Sequence, residues 1–249
     1  MNKRVSLGRK AGLLGTAAAL AAVMALPAGA FAQDEDAMVR VGHFSPDAPA
    51  VDIYANGAIL AGLEGVEFGT LSPYIAVPAD TYSIAVVVAG EDPAEATVIG
   101  PADLPFAAGS RSTVAATGFV ADIAPVVLND DFVLGDGNAQ VRVVHFSPDA
   151  PAVDIAPDGA EALIPGLAFP DFAGYVALPP ADYDLEVRLA GTEDVALQLD
   201  PLALAGDTAY TVFAIGSAAD GTLMALPVVD GETMMDEEMA EEEMAEDSE

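Results

Sequence analysis

Val39-Arg40-Val41-Gly42-His43-Phe44-Ser45-Pro46-Asp47-Ala48-Pro49-Ala50-Val51-Asp52-Ile53 returns 102 residues later as residues 141–155, and the two copies differ only at Gly42 versus Val144. A period near 100 residues describes two tandem domains of one fold. A solenoid repeats every ~20–50 residues. Elsewhere the two halves have drifted well apart, so a specific constraint holds this segment.

Each copy reads as a strand, a turn and a second strand. Alternation puts Val39, Val41 and His43 on one face and Arg40 and Phe44 on the other, and Val141, Val143 and His145 repeat the arrangement. Ser45-Pro46-Asp47-Ala48 has the chemistry of a type I turn, with Ser first and Pro second. Pro49 blocks a helix, and Val51-Asp52-Ile53 opens the next strand with Asp52 facing away from Val51 and Ile53.

The rest of each half is strand-like too. Ser83–Val88 and Ala209–Ile215 are rich in β-branched and aromatic residues and are bounded by Pro and Gly. Residues 183–189 alternate cleanly, with Tyr183, Leu185, Val187 and Leu189 against Asp184, Glu186 and Arg188, as on a strand with one wet face. Three further landmarks recur in order: Tyr74–Pro78 with Tyr175–Pro179, Pro78–Tyr82 with Pro180–Tyr183, and Ala108–Val114 with Ala205–Val212. No long helical period with caps follows residue 32. The expected fold is all-β: two tandem immunoglobulin-like antiparallel β-sandwich domains.

The N-terminus carries a targeting segment. Lys3, Arg4, Arg9 and Lys10 precede an apolar stretch from Ala11 to Leu26, and Ala30-Phe31-Ala32 is a small-x-small cleavage site. This predicts a secretory signal peptide over 1–32, with an uncleaved signal anchor as the alternative. Lipid attachment is excluded because the chain has no cysteine. The expected organisation is a signal peptide (1–32), an acidic leader (33–38), a first sandwich (39–134), a linker (135–138), a second sandwich (139–230) and a disordered acidic, Met-containing tail (231–249). The expected location is secreted, extracellular or at the cell surface.

The formal charge is −32, and the signal segment holds four of the eight basic residues and none of the 40 acidic ones. What remains has four arginines and no lysine, so nucleic acid and anionic lipid are repelled. No later stretch is long and apolar enough to span a bilayer as a helix. Without disulfides, each domain of about 95 residues must hold by its core alone.

The repeated segment resembles the opening of the DUF4397 domain, and the Pro-Ala-Asp-x-Tyr element and the later Gly-turn strand fit as well. The resemblance spans both halves. It implies an exported β-sandwich, often in tandem, of unassigned activity, and it brings no catalytic residues.

Two readings of the segment remain open. In the first, His43 and His145 sit at the core edge with one hydrogen bond each, and Asp47, Asp52, Asp149 and Asp154 accept backbone N–H groups that the Pro-flanked turn leaves free. In the second, His43, Asp47 and Asp52, with their counterparts His145, Asp149 and Asp154, converge on a small ligand or a divalent, Ca2+-like cation. Asp130-Asp131 with Asp136-Gly137-Asn138 has a calcium-like composition but not the EF-hand spacing.

Enzyme chemistry is poorly served. Ser45, His43 and Asp47 are near neighbours in sequence, whereas working triads draw on separate elements. There is no G-x-S-x-G, phosphate loop or H-E-x-x-H motif, and no Cys or Lys nucleophile beyond residue 32. The sequence therefore predicts a non-catalytic secreted or surface interaction module needing no cofactor. Its expected partner is an extracellular protein or glycan, with divalent cations as further candidates.

Overall fold

The computed structural model describes residues 35–199 and 201–233. The expected signal peptide and most of the expected acidic tail lie outside these residues.

The first half forms β1 (Ala37–His43), β2 (Val51–Ala55), β3 (Ala58–Ile59), β4 (Ile75–Val77), β5 (Asp80–Val88), β6 (Thr97–Phe106), β7 (Arg111–Thr117) and β8 (Ala124–Asn129). A single helical turn, α1 (Pro93–Ala96), capped by the Asp92 side chain, links β5 to β6. The second half forms β9 (Ala139–His145), β10 (Val153–Pro157), β11 (Ile164–Leu167), β12 (Val176–Leu178), β13 (Ala181–Tyr183), β14 (Leu185–Leu189), β15 (Val195–Gln198), β16 (Leu202–Leu204), β17 (Thr208–Ile215) and β18 (Met224–Glu232).

The chain is all-β, with two sandwiches in tandem. The sheets of the first run β4-β1-β7-β8 and β3-β2-β5-β6; those of the second run β12-β9-β17-β18 and β11-β10-β14-β15, with β13-β16 as a separate ladder. Pairing is antiparallel except between β1 and β7 and between β9 and β17. In each half the repeated segment supplies the second strand of one sheet and, through β2 or β10, crosses to the other.

Several local details differ from the sequence pattern. Ala37 and Met38, read as leader, are already in β1, and Ala37 is fully buried. Gly231 and Glu232, read as tail, close β18 against Ala209 and Thr208. The alternating run 183–189 breaks at Asp184: β13 pairs with β16, whereas β14 pairs with β10 and β15. Its polar face is also drier than alternation implies, because Glu186 is buried and paired with Arg188 at 2.7 Å.

Alternation sorts the core. Val39 and Val41 point between the two sheets of the first sandwich, Val41 among Ile53 and Val86 and Val39 among Phe106 and Val114. Val141 and Val143 do the same in the second. The opposite face of each β1/β9 sheet is covered by the other sandwich. Phe44, Ala115 and Leu128 of the first half and Val144, Phe146, Phe213 and Ile215 of the second form one buried apolar cluster. Phe44 stacks on Phe213 at 4.9 Å between ring centroids and on Phe146 at 6.0 Å. Burying each ring contributes ~2–3 kcal/mol. The two sandwiches thus share a third core between them.

Candidate functional site

The repeated segment places its polar side chains in four separate settings. His43 is fully buried at the end of β1, and its Nε2–H donates to the Pro49 carbonyl at 3.0 Å. His145 repeats this with Pro151 at 3.1 Å. A carbonyl only accepts, so Nε2 carries a proton in both rings. In both copies Nδ1 is buried and without a hydrogen-bond partner among the described residues. Burial holds the His43 pKa below its usual value, against the opposing pull of the Pro49 carbonyl.

The turn carboxylates serve the loop that follows β7 or β17. Asp47 accepts the Val120 amide at 2.8 Å. Asp149 accepts the amides of Ala218 and Ala219 at 2.8 and 2.9 Å and the Ser217 hydroxyl at 2.9 Å. Residual burial pushes the Asp149 carboxyl up, but these donors together hold it below the usual carboxylate range.

The strand carboxylates serve two glycine turns each. Asp52 accepts from Gly65 at 2.7 Å and Gly90 at 2.9 Å. Asp154 accepts from Gly166 at 2.6 Å and Gly191 at 2.8 Å. All four glycines have positive φ, a conformation that side-chain-bearing residues avoid, so the carboxylate fastens turns that only glycine makes cheaply. The Gly191 and Gly166 amides hold the Asp154 carboxyl below its usual range.

His, turn Asp and strand Asp therefore act on three different neighbours and do not converge. Among the described residues no three His, Asp or Glu side chains form a group able to hold a metal ion. Asp130, grouped in sequence with Asp131 and Asp136 as a calcium-like composition, is instead a buried interface residue.

The fourth setting is the one sequence reasoning missed. Arg40 and Arg142, on the far face of β1 and β9, are buried between the sandwiches at 3% and 1% exposure. Arg40 donates to Thr113 Oγ1 of its own half through Nε and to Asp230 of the other half through NH2. Arg142 donates to Thr211 of its own half at 3.0 Å and to Asp130 of the first half at 2.6 Å. Each Asp is completed within its own sandwich: Asp130 accepts from Tyr74 and Thr113, and Asp230 from Tyr175 and Thr211. Each guanidinium also lies 4.6 Å over a tyrosine ring, Arg40 over Tyr74 and Arg142 over Tyr175.

The result is a reciprocal network of two Arg-Thr-Asp-Tyr sets whose arginines are exchanged. Burial and then the Asp130 charge push the Tyr74 phenol well above its usual pKa; burial and the Asp230 charge do the same for Tyr175. Both phenols stay protonated and donate. The signal for this network was present in the sequence as an arginine repeated in both copies on the face opposite the valines, and as the repeated Tyr74 and Tyr175.

Gly42 marks where the copies part. A Cβ there would lie 2.5 Å from the Phe44 ring, which folds back across β1. The strand registers set Gly42 beside Ala115 in the first half and Val144 beside Phe213 in the second. A small pair faces a large one across the shared core.

A tandem pair of β-sandwiches joined by a buried, reciprocal interface is the class of protein that this architecture defines. The family model for DUF4397, a domain of unknown function, matches residues 37–156 and 139–241. The chain belongs to the DUF4397 family, in two copies. No curated protein matches it. Among solved structures, the C-terminal domain of AlgF from P. aeruginosa is similar over 38% of this chain and 99% of that one, at 20% identity and a TM-score of 0.31. CBMbc, a family CBM26 protein from Eubacterium rectale Amy13K solved in complex with maltoheptaose, aligns over 81% of this chain and 98% of that one, at 10% identity and a TM-score of 0.23. Likenesses this distant carry nothing about ligands.

Proposed function

We propose that this protein is a non-catalytic extracellular interaction or structural module in which the repeated segment fastens the fold and joins the two sandwiches. One observation carries the reading: every charged or imidazole side chain of the segment is engaged inside the molecule. Arg40 and Arg142 cross the interface, the four aspartates bind backbone amides, and both histidines bind proline carbonyls. A group so engaged has little left for substrate. The basic, apolar and small-residue sequence of residues 1–32 supports export, and the acid-rich composition supports solubility outside the cell. Partners of this module are extracellular proteins or glycans.

The test is thermal unfolding of the protein with calcium, magnesium, manganese or zinc, and with chelator, alongside His43→Ala/His145→Ala and Asp47→Asn/Asp149→Asn. The fastening role predicts lowered Tm in both variants and the same Tm with every cation and with chelator. A cation-specific rise in Tm that the variants abolish would replace this reading with a metal site.

A further inference from the structure

Between its two sheets the first sandwich holds a partly open apolar cavity of about 70 Å3, and the matching space in the second sandwich is about 20 Å3. Val41, Ile75 and Val114 line it from one sheet and Ile84, Ile99 and Ala102 from the other. No charged side chain lines it. Tyr82 carries the only polar side-chain atom in the wall, and its hydroxyl donates to the Pro78 carbonyl at 2.9 Å.

The strand registers explain why the copies differ. Ala102 pairs with Ile84, two positions along from the Val86–Ile99 pair. In the second half Val187 pairs with Leu197, and the Leu199 amide donates to the Leu185 carbonyl at 3.0 Å, so Leu199 occupies the place of Ala102. Leu199 packs on the second core. The alanine leaves out the carbons with which the leucine fills its sandwich.

We propose that the first sandwich is a binding site for a small aliphatic group, about three or four carbons of an alkyl chain, held between the sheets. A void with no polar wall gives water nothing to bond and stays dry, and an engineered cavity of ~150 Å3 takes up benzene. A space of half that size fits a proportionately smaller apolar group. The occupant gains dispersion contacts that the facing walls cannot make with each other. The wall selects against polar or charged groups, because each would lose its hydration without a partner. The source is either a free small hydrocarbon or the end of a longer chain whose head stays in water.

The experiment titrates the protein with n-butane and, separately, with 1-octanol, following methyl signals of Val41, Ile84, Ile99 and Leu104 by NMR. Saturable shifts confined to the first sandwich are expected, and their loss in Ala102→Leu. Leu199→Ala should create the same response at Val143 and Leu185, a readout that survives if Ala102→Leu overpacks and unfolds. Response to butane alone identifies a site for free small hydrocarbons; response to octanol, with or without butane, identifies a chain-end site. The proposal is overturned if neither probe gives a saturable shift up to its solubility, or if Ala102→Leu folds and responds like the parent.

Discussion

Arg40 and Asp230 lie 190 positions apart in the chain and meet as a buried ion pair between the two sandwiches. Desolvation offsets most of what such a pair gains, so its presence adds little net stability. Its rupture is another matter, because the surviving charge is stranded. Arg40→Met should destabilise the protein by about 3–5 kcal/mol in urea unfolding. A double-mutant cycle with Asp230→Asn should give a coupling of about 1–3 kcal/mol, despite the sequence separation. Strict additivity would mean that the pair is not formed in solution.

The shared apolar core makes the two sandwiches one cooperative unit. Calorimetry should show a single unfolding transition for the parent protein. In Arg40→Met/Arg142→Met the interface loses both exchanged cations, and the transition should broaden or divide. Two well-separated transitions in the parent would contradict the interface.

Thr117 supplies a test in the stabilising direction. Its hydroxyl is buried with no hydrogen-bond partner among the described residues, and the registers of β7 on β1 and of β17 on β9 place Ile215 in the same position of the second half. Thr117→Val keeps the shape and removes the stranded group. Stability should rise by about 1 kcal/mol, read as a higher urea midpoint at unchanged slope.

Gly42→Val copies the second half's residue into the first. The added Cβ meets the Phe44 ring at 2.5 Å, and that ring is itself clasped by Phe213 and Phe146. A loss of about 1–3 kcal/mol is expected. Combining it with Phe213→Ala should cost less than the sum of the two single changes.

The pH dependence follows from the two kinds of shifted group. His43 has a folded pKa below its ordinary 6.5, so the unfolded chain takes up a proton that the folded chain refuses. Stability is therefore level above pH 6.5 and falls as the pH drops towards the folded value. Asp149 and Asp154 lie below their ordinary 3.8, so their contribution is complete above that pH and is lost beneath it. Urea unfolding across pH 3–8 should show two separate declines. His43→Gln should remove a large part of the upper one and leave the lower intact.

Strand content, the duplication and the inward valines were all legible in the sequence, because period-2 alternation reports directly on a two-faced sheet. Backbone acceptance by Asp52 and Asp154 was one of two open readings, and it looked to amides of the Pro-flanked turn; the donors are Gly65, Gly90, Gly166 and Gly191 in turns well away in sequence, which alternation and turn chemistry do not locate. Arg40 and Phe44 were correctly placed on the face opposite Val39 and Val41, yet alternation cannot say what covers that face. The missing fact was tertiary: the covering surface is the chain's own other half, and the acidic partners Asp130 and Asp230 sit at strand ends among many other acids. The cavity was equally hidden, because Ala102 reads as an ordinary small residue until the register sets it where the second copy has Leu199.

The unequal faces of the shared core suit one half of each kind: Gly42 and Ala115, with the Phe44 ring folded over the glycine, meet the bulkier Val144 and Phe213 of the other half. By carrying both on a single polypeptide, the chain saturates its own association surface, and the face that would otherwise recruit a second molecule is already occupied by the first.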